Sequence, residues 1–201
     1  MEWAPGHDSI VAMAEAVLGW APPRFALAGH SMGGRVAFQV YRLAPERVTK
    51  IAVLNTGSDA RNDTEEPGRR KLLAIARTQG MRAMAVEWLK GMLPPYRQQD
   101  TPLVEEIIQM FERKSPDLFE IQMLALLGRP NASPLLPHIL CPALVLTGQD
   151  DTWSPPARHL QMAQSIRRSE LVIVPKCGHM STMERPDEVT AAMREWLVRT
   201  H

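Results

Sequence analysis

The chain has 201 residues, of which 45% are hydrophobic and 22% charged, the proportions of one ordinary globular domain with room for a modest insertion. A formal charge of +1, with basic and acidic residues intermixed, argues against a phosphate-tracking groove, so no nucleic-acid partner is expected. No uninterrupted apolar stretch approaches the ~20 residues of a membrane span, so no membrane partner is expected either.

At the N-terminus, Met1-Glu2-Trp3 lacks a basic segment followed by an apolar run, the pattern of a secretory leader, which makes a cytoplasmic location the expectation. Ile10, Ala14, Val17 and Leu18 then share one face of a predicted helix, and the short apolar run Phe25–Ala28 follows as a predicted strand. Val36, Val40 and Leu43 repeat at helical spacing directly after it. Three further runs of the same kind lie at Ile51–Leu54, Ala143–Leu146 and Leu171–Val174. Near-continuous apolar runs bounded by turn residues suit strands buried on both faces of a parallel sheet. Val189, Met193, Trp196 and Leu197 predict a C-terminal amphipathic helix, begun either at a capping box formed by Ser181 and Glu184 or at Pro186. Strands alternating with helices define an α/β class, a mainly parallel sheet flanked by helices.

The interval between Leu54 and Ala143 is far longer than a crossover requires. It carries one helical stripe of Met81, Met84, Trp88 and Met92, another of Val104, Ile107, Ile108 and Phe111, and a third apolar segment over Leu118–Leu127. These features predict a core made of 1–58 and 140–201, with 59–139 inserted as a helical cap or lid; outer helices of an ordinary crossover are the plainer alternative. The charge runs Arg69-Arg70-Lys71 and Arg167-Arg168 read as solvated faces. Cys141 and Cys177 offer neither a disulfide framework nor metal-ligand spacing, so no metal and no cofactor are expected.

Chemistry concentrates in Gly29-His30-Ser31-Met32-Gly33-Gly34, which places Gly-x-Ser-x-Gly between a predicted strand and a predicted helix. A serine on so sharp a turn needs neighbours without side chains, and the helix that follows aims its N-terminal N–H groups at the reacting centre. The motif alone is weak; its strand–turn–helix setting strengthens it. The third run ends in Gly148-Gln149-Asp150-Asp151 and the fourth leads to Gly178-His179, which puts a carboxylate and an imidazole at the same carboxyl edge of the sheet as Ser31.

In these three segments the chain resembles the α/β-hydrolases. Gly-His-Ser-Met-Gly-Gly is similar to their nucleophile elbow, Gly148-x-x-Asp151 to their acid loop, and Gly178-His179 with Glu184-x-Pro186 to their histidine loop and last helix. The resemblance implies Ser31 as nucleophile, His179 as general base and acid, Asp151 as its orienting carboxylate, and the Met32 N–H as one oxyanion donor. Asp150 is then a loop-capping or solvated carboxylate, His30 packs beside the strand, and Cys177 is a small loop hydrophobe. His7, His138, His159 and His201 have no catalytic part in this reading. Met81, Met84 and Met92 are candidates for substrate contact, since methionine suits adaptable apolar pockets.

The implied activity is hydrolysis of a small, fairly apolar ester-like substrate through an acyl-enzyme. A non-catalytic binding or scaffold protein of the same fold is the competitor, and an acyltransferase, C–C hydrolase or lyase on the same triad is a further alternative. The family also carries strands ahead of the elbow strand and a loop that donates a second oxyanion N–H. Residues 1–24 show no counterpart, which would leave Phe25–Ala28 as an open sheet edge. Three expectations follow, in order: a fragment or misassigned start, an edge covered by a second copy in a homodimer, or a reduced non-catalytic relative.

Overall fold

A computed structural model describes residues 6–199. The four predicted strands form, and each runs further than its apolar run: β1 (Phe25–His30), β2 (Val48–Leu54), β3 (Ala143–Gly148) and β4 (Ser169–Val174). They pair in parallel in the order β1-β2-β3-β4, with Gly29 opposite Val53, Val53 opposite Val145 and Val145 opposite Leu171.

Side-chain alternation sorts the strands between two apolar clusters. On one face Ile51, Val53, Ala143 and Val145 pack against helices α1 (Ile10–Trp20), α2 (Met32–Leu43) and α7 (Pro156–Ser165). On the other, Ala52, Leu54, Leu144 and Leu146 pack against α9 (Pro186–Val198), through Val189, Ala192 and Trp196. Only β2 and β3 match the expectation of burial on both faces. β1 leaves Ala26 and Ala28 exposed, because α9 covers β2 to β4 and does not reach the edge strand. Beside them Lys50 donates its ammonium to the Trp196 carbonyl at 3.1 Å, and to those of Leu197 and Arg199, satisfying the last turn of α9.

Between β2 and β3 the chain makes α3 (Glu65–Gln79), α4 (Met81–Met92), α5 (Thr101–Glu112) and α6 (Pro116–Leu127). Asp100 and Ser115 cap α5 and α6 by accepting from Leu103 and Leu118 N–H, and a proline follows each cap at the first or second helical position. α3 lies outside the sequence expectation; its apolar positions are sparse and its first turns are charged. Ser181 and Glu184 form no capping box. They close a separate short turn, α8 (Ser181–Glu184), and α9 begins at Pro186. Among the described residues no helix is long and apolar enough to cross a membrane.

Candidate active site

β1 runs directly into α2 through Ser31, which sits at φ 53°, ψ −116°, backbone space that a side chain rarely enters without a functional reason. The turn is held by its neighbours. Ser31 N–H donates to the Leu54 carbonyl at 2.8 Å, and the Thr56 hydroxyl donates to the Ser31 carbonyl at 2.8 Å. Gly29 is sterically required, since a Cβ there would lie 2.1 Å from the Gly33 carbonyl oxygen. Met32 opens α2, where the first N–H groups have no intrahelical acceptor and a partial positive charge gathers.

The three residues singled out in the sequence come together. His179 Nε2 stands 2.9 Å from Ser31 Oγ, and its Nδ1 stands 2.9 Å from Asp151 Oδ2. Asp151 is 2% exposed and His179 4%, so water does not compete for the bond between them. Burial by itself raises the Asp151 pKa. The hydrogen bond and charge of His179, the Asn55 amide and the Ser154 N–H outweigh it and hold the carboxyl down at about 2. Its Oδ1 accepts from Trp153 and Ser154 N–H, both at 2.9 Å. Asp150, by contrast, faces outward and accepts from the Tyr96 hydroxyl.

Three further residues build the site; the sequence marked Glu184 only as part of the last-helix motif, and Asn55 and Trp153 not at all. Asn55, fully buried at φ 48°, donates from Nδ2 to Asp151 Oδ2 at 2.9 Å and to the Gly178 carbonyl at 3.1 Å, while its Oδ1 accepts from the Ser181 hydroxyl. Glu184 is 3% exposed and its carboxylate takes the N–H groups on either side of the histidine, Gly178 at 2.9 Å and Met180 at 3.0 Å. His179 N–H itself donates to the Met92 carbonyl at 2.9 Å. The Trp153 ring lies 4.9 Å from the His179 ring and 5.8 Å from Trp88 of α4. His30 does lie beside the strand end, where its Nε2–H donates to the His179 carbonyl at 2.7 Å. Burial, then the charge of His179, draws its pKa down to about 4. Cys177 is fully buried, and burial pushes its thiol up to about 12, so it carries no thiolate.

Above Ser31 opens an apolar cavity of about 380 Å³, walled by Leu72, Trp88, Phe119, Met123, Leu126 and Trp153. Met81, Met84 and Met92 do not line it. They are 8%, 0% and 4% exposed, and their side chains fill the cores between α3, α4, α5 and α6. The methionine at the cavity is Met123, together with Met32. Arg69 departs from the solvated face expected of it, for it lines the same cavity, whereas Arg70 and Arg168 are exposed as expected.

A strained serine at a strand–helix junction, paired through an imidazole to a buried carboxylate under a helical wall, is the arrangement of the α/β-hydrolase class. A sequence profile of the alpha/beta hydrolase family matches residues 2–192, and the chain belongs to that family. A 2-hydroxy-6-oxononadienedioate/2-hydroxy-6-oxononatrienedioate hydrolase of a Pseudomonas species is 30% identical over 178 residues, 85% of this chain and 62% of that protein. The chain thus spans less than two thirds of that relative. Among solved structures, an esterase from Thermogutta terrifontis with malate bound superposes with a TM-score of 0.87 at 32% identity, over 98% of this chain and 74% of that one. An enol-lactonase from Burkholderia xenovorans LB400 superposes with a TM-score of 0.86 at 25% identity, over 98% and 76%.

Proposed function

We propose that the chain is the catalytic part of a serine hydrolase acting on an ester-like carbonyl. The observation that carries this reading is the unbroken relay Ser31 Oγ, His179 Nε2, His179 Nδ1, Asp151 Oδ2, with both contacts at 2.9 Å. Ser31 attacks the carbonyl carbon while His179 takes its proton, and Asp151 keeps Nδ1–H pointed away so that Nε2 is the free base. The tetrahedral oxyanion forms in front of α2, where the Met32 N–H donates to it. Collapse expels the alcohol, which leaves with the proton from His179 and gives an acyl-enzyme. Water, deprotonated by the same imidazole, then releases the acid and restores Ser31.

The apolar cavity supports a substrate with a hydrocarbon arm, and the esterase and the enol-lactonase among the similar structures support an oxygen ester or lactone. The oxo-dienedioate in the name of the Pseudomonas relative favours a second reading, cleavage beside a ketone on the same triad. A serine-directed fluorophosphonate tests the common step. It is expected to label the wild-type protein stoichiometrically and the Ser31→Ala protein not at all. Hydrolysis of p-nitrophenyl acetate and butyrate at the same rate by wild type and His179→Ala would overturn the proposal in favour of a scaffold. Turnover of the esters, with none of a matched ketone, decides against the second reading.

A further inference from the structure

The space in front of Ser31 has two arms of opposite character. Beside the apolar cavity a second one of about 320 Å³ shares Ser31, Met32, Glu65, Arg69, Leu126 and Trp153 with it and also reaches His179. Its wall carries four guanidinium groups, Arg35, Arg69, Arg129 and Arg158.

The local carboxylates do not neutralise them. Arg129 takes both oxygens of Glu65, at 2.8 and 2.5 Å. Arg158 pairs with Asp59 at 3.3 Å. What remains is under-matched. Arg69 reaches the already occupied Glu65 only at 3.5 Å, and its Nε is buried without a hydrogen-bond partner. Arg35 donates to the Asp59 backbone carbonyl and makes no ion pair with a carboxylate among the described residues. Burial, then the charge of Arg129, draws its pKa down to about 9 against the opposing charges of Asp59 and Glu65, and it still holds its proton at neutral pH. Gly57 keeps the arm open, since a Cβ there would stand 2.9 Å from both the Arg35 and Arg158 side chains.

Half-buried, uncompensated guanidinium groups are costly unless an anion completes them, and their planar forks fit a carboxylate. We propose that this arm binds a carboxylate of the substrate, so that the preferred substrate is a monoanionic ester with a hydrocarbon arm on one side of the scissile carbonyl and a free carboxylate on the other. The inference rests on the serine-hydrolase reading for its kinetics, but not for its binding. Arg69, which borders both arms, and Arg35 are its anchors.

Two measurements test it. With monomethyl and dimethyl glutarate as substrates, kcat/KM is expected to favour the monoanion by about tenfold or more, and the ratio is expected to fall towards unity in Arg35→Gln and Arg69→Gln while Arg69→Lys keeps part of it. Calorimetric titration of the Ser31→Ala protein with glutarate is expected to show binding that weakens with salt and drops about tenfold on adding Arg69→Gln. Equal use of both esters, or a preference unmoved by the arginine variants, overturns the proposal and leaves the hydrolase standing. Arginine-dependent glutarate binding with no turnover of any ester or matched ketone keeps the carboxylate site and removes the hydrolase. Tighter binding of inorganic phosphate than of glutarate overturns the carboxylate assignment.

Discussion

Asn55 follows the last residue of β2 and bonds both the Asp151 carboxylate and the loop that carries His179. Its φ of 48° is one that asparagine tolerates better than most side chains, and its amide fixes both the Asp151 carboxylate and the histidine loop. Asn55→Ala removes these bonds and leaves alanine in a strained backbone. A loss of about 2–3 kcal/mol in urea unfolding and about a tenfold fall in kcat on a p-nitrophenyl ester are expected. Nothing in the sequence marks this role, because an asparagine after a strand is an ordinary turn residue. Ser31, Asp151 and His179 were legible for the opposite reason, since each stands at a fixed offset from a glycine that its loop cannot replace. Gly148 illustrates the constraint: a Cβ there would lie 2.2 Å from the Gly178 carbonyl oxygen, so acid and histidine loops touch at that point. His159 gives a second prediction at this scale. It is fully buried; Thr56 N–H donates to its Nε2 and its Nδ1–H donates to the Pro155 carbonyl, so the ring is held neutral. Burial lowers its pKa from 6.5 to about 4. The unfolded chain therefore takes up the proton first. The stability contributed by the neutral ring is complete above pH 6.5 and is lost as pH falls towards 4, by about 3 kcal/mol. Urea midpoints measured from pH 7 to 4 are expected to fall less steeply in His159→Gln than in the wild type.

At the scale of elements, the strands were readable because four short apolar runs stood between turn residues. Their exposure was not, because whether a face is covered depends on how far α9 reaches across the sheet. α3 escaped notice because only Leu73 and Ala76 of its fifteen residues are buried, too few for a helical stripe. The turn from β4 to α9 holds the element-scale counterpart of Asn55. Glu184 binds the N–H groups of Gly178 and Met180, and the Met92 carbonyl accepts from His179, so three successive N–H groups of the histidine loop are fixed by groups brought from elsewhere. Burial raises the Glu184 pKa, although both N–H bonds and Arg97 pull it back. In Glu184→Ala two buried donors are left without acceptors. That variant is expected to lose about 2–4 kcal/mol, read as a lowered Tm, and to lose kcat more than KM, because the imidazole is no longer held on Ser31. Glu184→Gln, which retains one acceptor oxygen, is expected to fall between it and the wild type.

For the whole molecule, the interval from 55 to 142 was recognisable as helix-rich by its length and helical periodicity, and α3 to α6 occupy it. The stripes of Met81, Met84, Trp88 and Met92 gave α4 its apolar face but not what that face meets, since spacing reports an apolar surface and not whether a helix or a ligand covers it. Here the methionines meet other helices, and only Trp88 of that stripe reaches the cavity. Two clusters of bonds hold the four helices, one to the loops at the sheet edge and one within the interval itself. At one, Tyr96 bonds Asp150 and Arg97 donates to the Glu184 carbonyl at 3.0 Å, so the segment after α4 grips both the acid and the histidine loops. At the other, the Arg129 side chain, 6% exposed, ties the N-terminus of α3 through Glu65 and donates to the carbonyls of Asp59, Ala60 and Leu126. This second fastening sets the wall opposite Ser31, for Glu65, Gly68, Arg69 and Leu72 all line the cavity from α3. Arg129→Met preserves most of the volume but takes from Glu65 its two-oxygen partner and from the Ala60 carbonyl its donor, while Arg69 still reaches Glu65 and Arg35 still donates to the Asp59 carbonyl. Breaking a fully buried pair costs about 3–5 kcal/mol, and because Glu65 is partly exposed the expected loss in urea unfolding is nearer 2–3 kcal/mol. The triad itself loses no partner in this variant, so KM for an ester with a long apolar arm is expected to rise while kcat changes less. A kcat loss at unchanged KM would show instead that the α3 fastening acts on the catalytic loops and not on the wall that receives the substrate.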